Sequence, residues 1–142
     1  PAGQRSEIPE IAGKFPARIL IVDDNPLNVM LLEHMLHKLG YAPVSVENGR
    51  AAFRQTTRNK FDILFMDVHM PEVDGINATK AIRNSKASCD PVIIAVTANA
   101  TDENRHDCLE AGMDDFLAKP IRVQDIVDLI QKWAPRGRET TG

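Results

Sequence analysis

Cysteine is scarce in this chain: its 142 residues include only Cys89 and Cys108, and these form no CxxC pair. They provide neither a zinc site nor a disulfide framework, and a reducing cytosol is the expected compartment. Long apolar runs are missing too. The longest span a few residues, far short of the roughly 20 needed to cross a bilayer. The first residues form no apolar signal segment, so neither export nor membrane insertion is expected. There is no excess of basic charge: 17 Lys and Arg against 20 Asp and Glu leave a net charge of −3. That balance argues against general nucleic-acid binding, which needs a basic face.

What is present is ordinary globular composition, 43% hydrophobic and 26% charged, which excludes a disordered or collagen-like chain. The length corresponds to one domain, able to bury about two-thirds of its unfolded surface without a disulfide or metal staple. Residues 1–16 and 135–142 mix Pro, Gly and charges without periodicity. They read as flexible tails around one domain at 17–134, the kind of ends carried by a domain cut from a longer chain.

Between the tails, short apolar runs alternate with helical patterns. Ile19–Val22 is continuously apolar, as a strand covered on both faces must be. Asn25 is placed to cap a helix with Pro26 in its first turn. Leu31, Leu32, Met35, Leu36 and Leu39 then repeat at helical spacing up to a stop at Gly40. Further strands are expected at 42–46, 63–66, 92–96 and 116–118, and further helices at 49–58, 75–83, 101–111 and 123–133. The last helix carries Val123, Ile126, Val127, Ile130 and Trp133 on one stripe. Five β-α units imply an α/β flavodoxin-like fold: a doubly wound, five-stranded parallel sheet in the order 2-1-3-4-5. In such sheets chemistry sits at the carboxyl ends of the strands.

Those ends are rich in functional groups. The first strand runs into Asp23 and Asp24, the third into Asp67, the fourth into Thr97 and the fifth into Lys119-Pro120. Three carboxylates crowded together repel one another, and a divalent cation resolves the conflict. Magnesium suits an oxygen-rich site shared with a phosphate. A carboxylate held beside such a metal can attack phosphorus and form an acyl phosphate. That transfer needs mainly positioning and charge neutralisation.

The runs ILIVDDN (19–25), LFMDVHMPEVDG (64–75), AVTANA (95–100) and DDFLAKPI (114–121), in this order, resemble the receiver domain of two-component response regulators over about residues 18–133. The resemblance implies that Asp67 is the phosphoacceptor, charged by a phosphohistidine of a histidine kinase or histidine phosphotransfer protein. It implies Mg2+, with Mn2+ as a substitute, on Asp24, Asp67 and the backbone carbonyl of His69, with Asp23 acting through water. Lys119 would pair with the carboxylate and then the phosphate, and Thr97 would donate its hydroxyl to the phosphate. Phe116 would turn inward as the switch aromatic, and a cis bond is implied at Lys119-Pro120. His69 and Asn99 would tune water attack on the acyl phosphate.

The DDNPLN and MDVHMP runs further resemble receivers attached to hybrid sensor histidine kinases. In that setting Asp67 is a station between a kinase histidine and a phosphotransfer domain, in the cytoplasm. A stand-alone regulator that docks on a target when phosphorylated is the alternative. An aspartate-nucleophile phosphohydrolase of the haloacid-dehalogenase type would want a second Asp where His69 stands. A degenerate, binding-only receiver is disfavoured because every position for the chemistry is filled. The plainer readings are that His34, His37 and His106 are surface residues, Cys108 is a small buried residue, Met66 and Met70 are packing, and Asp74-Gly75 is a turn.

Overall fold

A computed structural model describes residues 11–68, 75–85, 90–98 and 102–134. The elements alternate strictly: β1 (Ile19–Val22), α1 (Pro26–Lys38), β2 (Val44–Val46), α2 (Gly49–Arg58), β3 (Ile63–Asp67), α3 (Gly75–Asn84), β4 (Val92–Thr97), α4 (Asp102–Ala111), β5 (Asp115–Ala118) and α5 (Val123–Trp133). All strand pairs are parallel and the order is β2-β1-β3-β4-β5, the doubly wound arrangement expected from the alternation.

The apolar strand runs have a direct physical reason. Ile19, Ile21, Ile63, Phe65, Ile94 and Leu117 join Leu32 and Leu36 of α1 and Ile126 and Ile130 of α5 in one core. Their alternating neighbours Leu20, Val22, Leu64, Met66 and Ile93 pack on the other face with Ala52, Ala78, Ile82 and Cys108. Successive strand residues point to opposite faces, and helices cover both. Cys108 and Met66 are buried as expected, and His34, His37 and His106 lie on the surface.

Most element boundaries fall within one residue of expectation, and two differ by more. β2 begins at Val44 rather than at 42, because Pro43 has no backbone N–H to give a ladder. The tail expected over 1–16 also ends earlier than its composition indicates. The N–H groups of Ile11 and Ala12 both donate to the Leu39 carbonyl at the end of α1, at 3.0 and 3.1 Å. Ile11 is buried, Phe15 packs on the same core, and the Phe15 carbonyl accepts the Tyr41 hydroxyl proton. Burial pushes the Tyr41 pKa up to about 12, so the hydroxyl remains a donor.

Candidate functional site

Sheet register builds the site. Val22 of β1 pairs with Met66 of β3, Asp67 with Val96 of β4, and Thr97 with Ala118 of β5. Asp23, Asp67, Thr97 and Lys119 therefore stand at consecutive strand ends along one sheet edge. A carboxylate oxygen from each of Asp23, Asp24 and Asp67 lies within 4.8 Å of the others. Asp67 is 4% exposed and Asp23 5%, whereas Asp24 faces solvent. The Lys119 Nζ lies 3.9 Å from Asp67 Oδ1, an ion pair between a part-exposed ammonium and a buried carboxylate. Thr97 is buried, and its carbonyl accepts the Lys119 N–H at 2.9 Å, which ties the lysine loop to β4. The Lys119-Pro120 peptide is cis.

Local sequence explains how the acids are held. Asp23 Oδ1 accepts the Asn25 N–H at 2.9 Å, and Asn25 Oδ1 accepts the Leu27 N–H at 2.9 Å. This cap starts α1 with Pro26 in its first turn. Asp23 is thus both a charge in the site and a fixed point for the helix. Beside the acids a cleft of about 390 Å³ opens between α1 and β2, lined among others by Asp23, Asp24, Met30 and Glu47. Leu27, Met30 and Leu31 are exposed at 72%, 62% and 43%, an unusual apolar stripe at i, i+3 and i+4 next to a charged centre.

The structure adds residues that sequence reasoning did not single out. Gly75, read as part of a turn, has a tighter duty: a Cβ there would lie 2.3 Å from the Asp67 carbonyl oxygen and 2.9 Å from the Val68 Cα. Only a residue without a side chain lets α3 start this close to β3, and the DG pair was the available signal. The Thr79 hydroxyl donates to the Gly75 carbonyl at 2.7 Å. On the other side, Phe116 is half-buried, with the Arg105 guanidinium 4.7 Å from its ring centroid, a cation–π contact. His69 and Asn99, with Met70, Asp74 and Cys89, lie outside the described residues.

The donor set is all oxygen, anionic and clustered, which fits a small hard dication. A partly desolvated ammonium beside the most buried acid fits a second anionic group arriving there. Comparison with known proteins bears on the same point. The response regulator receiver domain model matches residues 19–131, and the chain belongs to that family. It is 39% identical over 137 residues to the sensor protein GacS of Pseudomonas syringae, covering 94% of this chain and 15% of that protein.

Among solved structures, the receiver domain of a sensor histidine kinase from Pseudomonas aeruginosa, with a magnesium ion in its active site cleft, matches with a TM-score of 0.78 and 40% identity. The match covers 84% of this chain and 98% of that one. A chain of the co-crystal of the Saccharomyces cerevisiae phosphotransfer protein Ypd1 with the receiver domain of Ssk1 matches at TM-score 0.77 and 25% identity, covering 87% and 93%. The chain spans 15–16% of the length of such curated relatives as GacS and a probable histidine kinase of Oryza sativa. No helix among the described residues is long and apolar enough to cross a membrane.

Proposed function

We propose that Asp67 accepts a phosphoryl group from a phosphohistidine of a histidine kinase or histidine phosphotransfer protein. A carboxylate oxygen of Asp67 attacks phosphorus, the N–P bond breaks, and the histidine nitrogen leaves with the electron pair. One observation carries this reading: the best-buried carboxylate of a three-acid cluster is also the one paired with an ammonium. Asp24, Asp67 and the His69 carbonyl would hold Mg2+ or Mn2+, with Asp23 acting through water, and the ion would neutralise charge as the phosphoryl group arrives.

The chain's own groups do the rest. Lys119 pairs with the carboxylate beforehand and turns to the phosphate oxygens afterwards, as a flexible point charge is able to do. Thr97, on the neighbouring strand end, donates its hydroxyl to the phosphate, and Phe116 responds by turning inward. His69 and Asn99 set the rate of water attack. The exposed stripe of Leu27, Met30 and Leu31 gives the histidine-bearing partner an apolar seat beside the acids. The sensor-kinase and hybrid-kinase relatives support a place within a hybrid kinase, and the receiver seen with a phosphotransfer protein supports onward transfer to such a partner, with the cytoplasm as the proposed setting.

The test is intact mass after incubation with acetyl phosphate, with and without Mg2+, on wild type and Asp67→Asn. A single phosphoryl adduct that requires both Mg2+ and Asp67 is the expected result. An adduct surviving in Asp67→Asn, or none in the wild type, would overturn the assignment.

A further inference from the structure

The charge of this acidic chain is unevenly distributed. The ten residues of α2 include Arg50, Arg54 and Arg58 and no acid. The ten of α3 include Lys80 and Arg83 and again no acid. Arg83 is engaged by Asp90 and Asp114. The other four side chains are exposed, and among the described residues none of them forms an ion pair. Between the two helices runs a groove of about 360 Å³, lined by Gly49, Arg50, Phe53, Arg54, Ala78 and Ala81. Its floor is small and apolar, Phe53 walls it half-buried, and Arg50 and Arg54 stand one helical turn apart on its rim. No residue of the phosphoacceptor site lines it.

We propose that this groove docks an acidic amphipathic helix of a partner protein. One apolar side chain seats on Phe53, Ala78 and Ala81, and carboxylates one turn apart pair with Arg50 and Arg54. The pattern is helix-in-groove recognition, with apolar anchors giving affinity and charge giving register. Guanidinium groups match carboxylates bidentately, and the one-turn spacing of Arg50 and Arg54 matches the repeat of a helix lying along α2. Shape disfavours a bilayer, which needs protruding apolar residues where this surface is concave. Nucleic acid is disfavoured by the lining, which offers hydrogen-bond donors only from the two arginines. The surface lies apart from the acids, so the inference does not depend on phosphoryl chemistry.

The test uses a fluorescent synthetic helical peptide with one central Leu and, beside it on the adjoining face, two Glu four residues apart, titrated into isotope-labelled protein without phosphodonor. Saturable binding is expected, with amide shifts confined to Gly49–Arg54 and Ala78–Ala81. Arg50→Glu/Arg54→Glu should weaken it at least about tenfold, as should replacing the peptide's Leu with Ser. Ala81→Glu, which fills the groove and leaves both arginines, should weaken it as well, with melting curves checking that each variant is folded. The proposal is overturned if binding is unsaturable, if a Lys-for-Glu peptide binds equally, or if shifts map to other helices. It is also overturned if single-stranded DNA or phosphatidylglycerol vesicles bind through the same arginines more tightly than the peptide. Acetyl phosphate labelling run in parallel separates this outcome from the phosphoacceptor reading, because either result can fail alone.

Discussion

Neutralising Asp23 should stabilise the metal-free protein, which is unusual for a substitution at a buried, hydrogen-bonded residue. Asp23→Asn keeps an amide oxygen where Oδ1 accepts the Asn25 N–H, so the start of α1 is preserved and mainly charge is removed. With oxygens no more than 4.8 Å apart and an effective dielectric near 20, the bare repulsion from Asp67 is at least about 3.5 kcal/mol. Repulsion from exposed Asp24 is closer to about 1 kcal/mol, and most of it persists in the unfolded chain because the two residues are adjacent. Lys119 already neutralises part of the Asp67 charge. The net gain should be about 1–2 kcal/mol, or roughly 4–8 °C in melting temperature for a domain of this size. The assay is a thermal melt in chelator and again in saturating Mg2+. The variant should melt higher in chelator and gain less from Mg2+, because each tenfold loss of metal affinity removes about 1.4 kcal/mol of ligand stabilisation. A variant melting below wild type in chelator would show that the Asp23 charge supports the fold, and the repulsion argument would fail.

Gly75→Ala should cost about 1–3 kcal/mol by overpacking against the Asp67 carbonyl and should slow labelling by acetyl phosphate; an unchanged rate would mean that β3 yields without moving the acid. Arg83 donates to the Gly112 and Pro91 carbonyls, to Asp90 and to Asp114, at 2.7–2.9 Å. Arg83→Met should cost about 2–4 kcal/mol in denaturant melts, whereas loss of the exposed Asp90 partner should cost under about 1; equal costs would contradict the burial argument. At Asp115, burial pushes the carboxyl pKa up, but bonds from the Trp133 indole, the Phe116 N–H and Lys132 together bring it below the usual range. A lowered folded pKa gives stability that is present above the unfolded value and lost as pH falls through the folded one. Asp115→Asn should therefore cost about 1–2 kcal/mol near neutrality, and urea melts should show that gap closing below about pH 4; a constant gap would rule out the ionised carboxylate as its source.

Much of this molecule was legible in its sequence because parallel strands advertise themselves. Ile19–Val22 and Val92–Val96 are apolar without alternation since both faces are covered, and that pattern admits few other readings. Once five β-α units are counted, the placement of Asp23, Asp24, Asp67, Thr97 and Lys119 follows from topology alone. Ile11 and Phe15 were not legible: two isolated apolar residues amid Pro, Gly and charge have no period, and their burial depends on the Leu39 carbonyl and Tyr41, far along the chain. The contacts of Gly75 with Asp67 and of Arg105 with Phe116 likewise arise only when separate elements meet.

Like charges gathered at a strand edge raise the question of what holds them there. Each fully buried Val, Leu, Ile, Met or Phe contributes about 1.5–3 kcal/mol, and apart from the small Ala95 the residues entering the site are such side chains: Ile21 and Val22 before Asp23, Phe65 and Met66 before Asp67, Ala95 and Val96 before Thr97. Against roughly 8–15 kcal/mol of burial from the five large side chains, the net repulsion of about 1–2 kcal/mol at Asp23 cannot shift the register. A one-residue slip would turn every one of these side chains to the opposite face. The repulsion therefore persists in the folded state instead of relaxing, and it is available to be relieved by whatever positive charge binds. A cavity-forming change such as Val22→Ala should loosen that hold, lowering Mg2+ affinity without touching a carboxylate. Unchanged affinity in a measurably destabilised variant would mean that the acids find their geometry independently of the sheet.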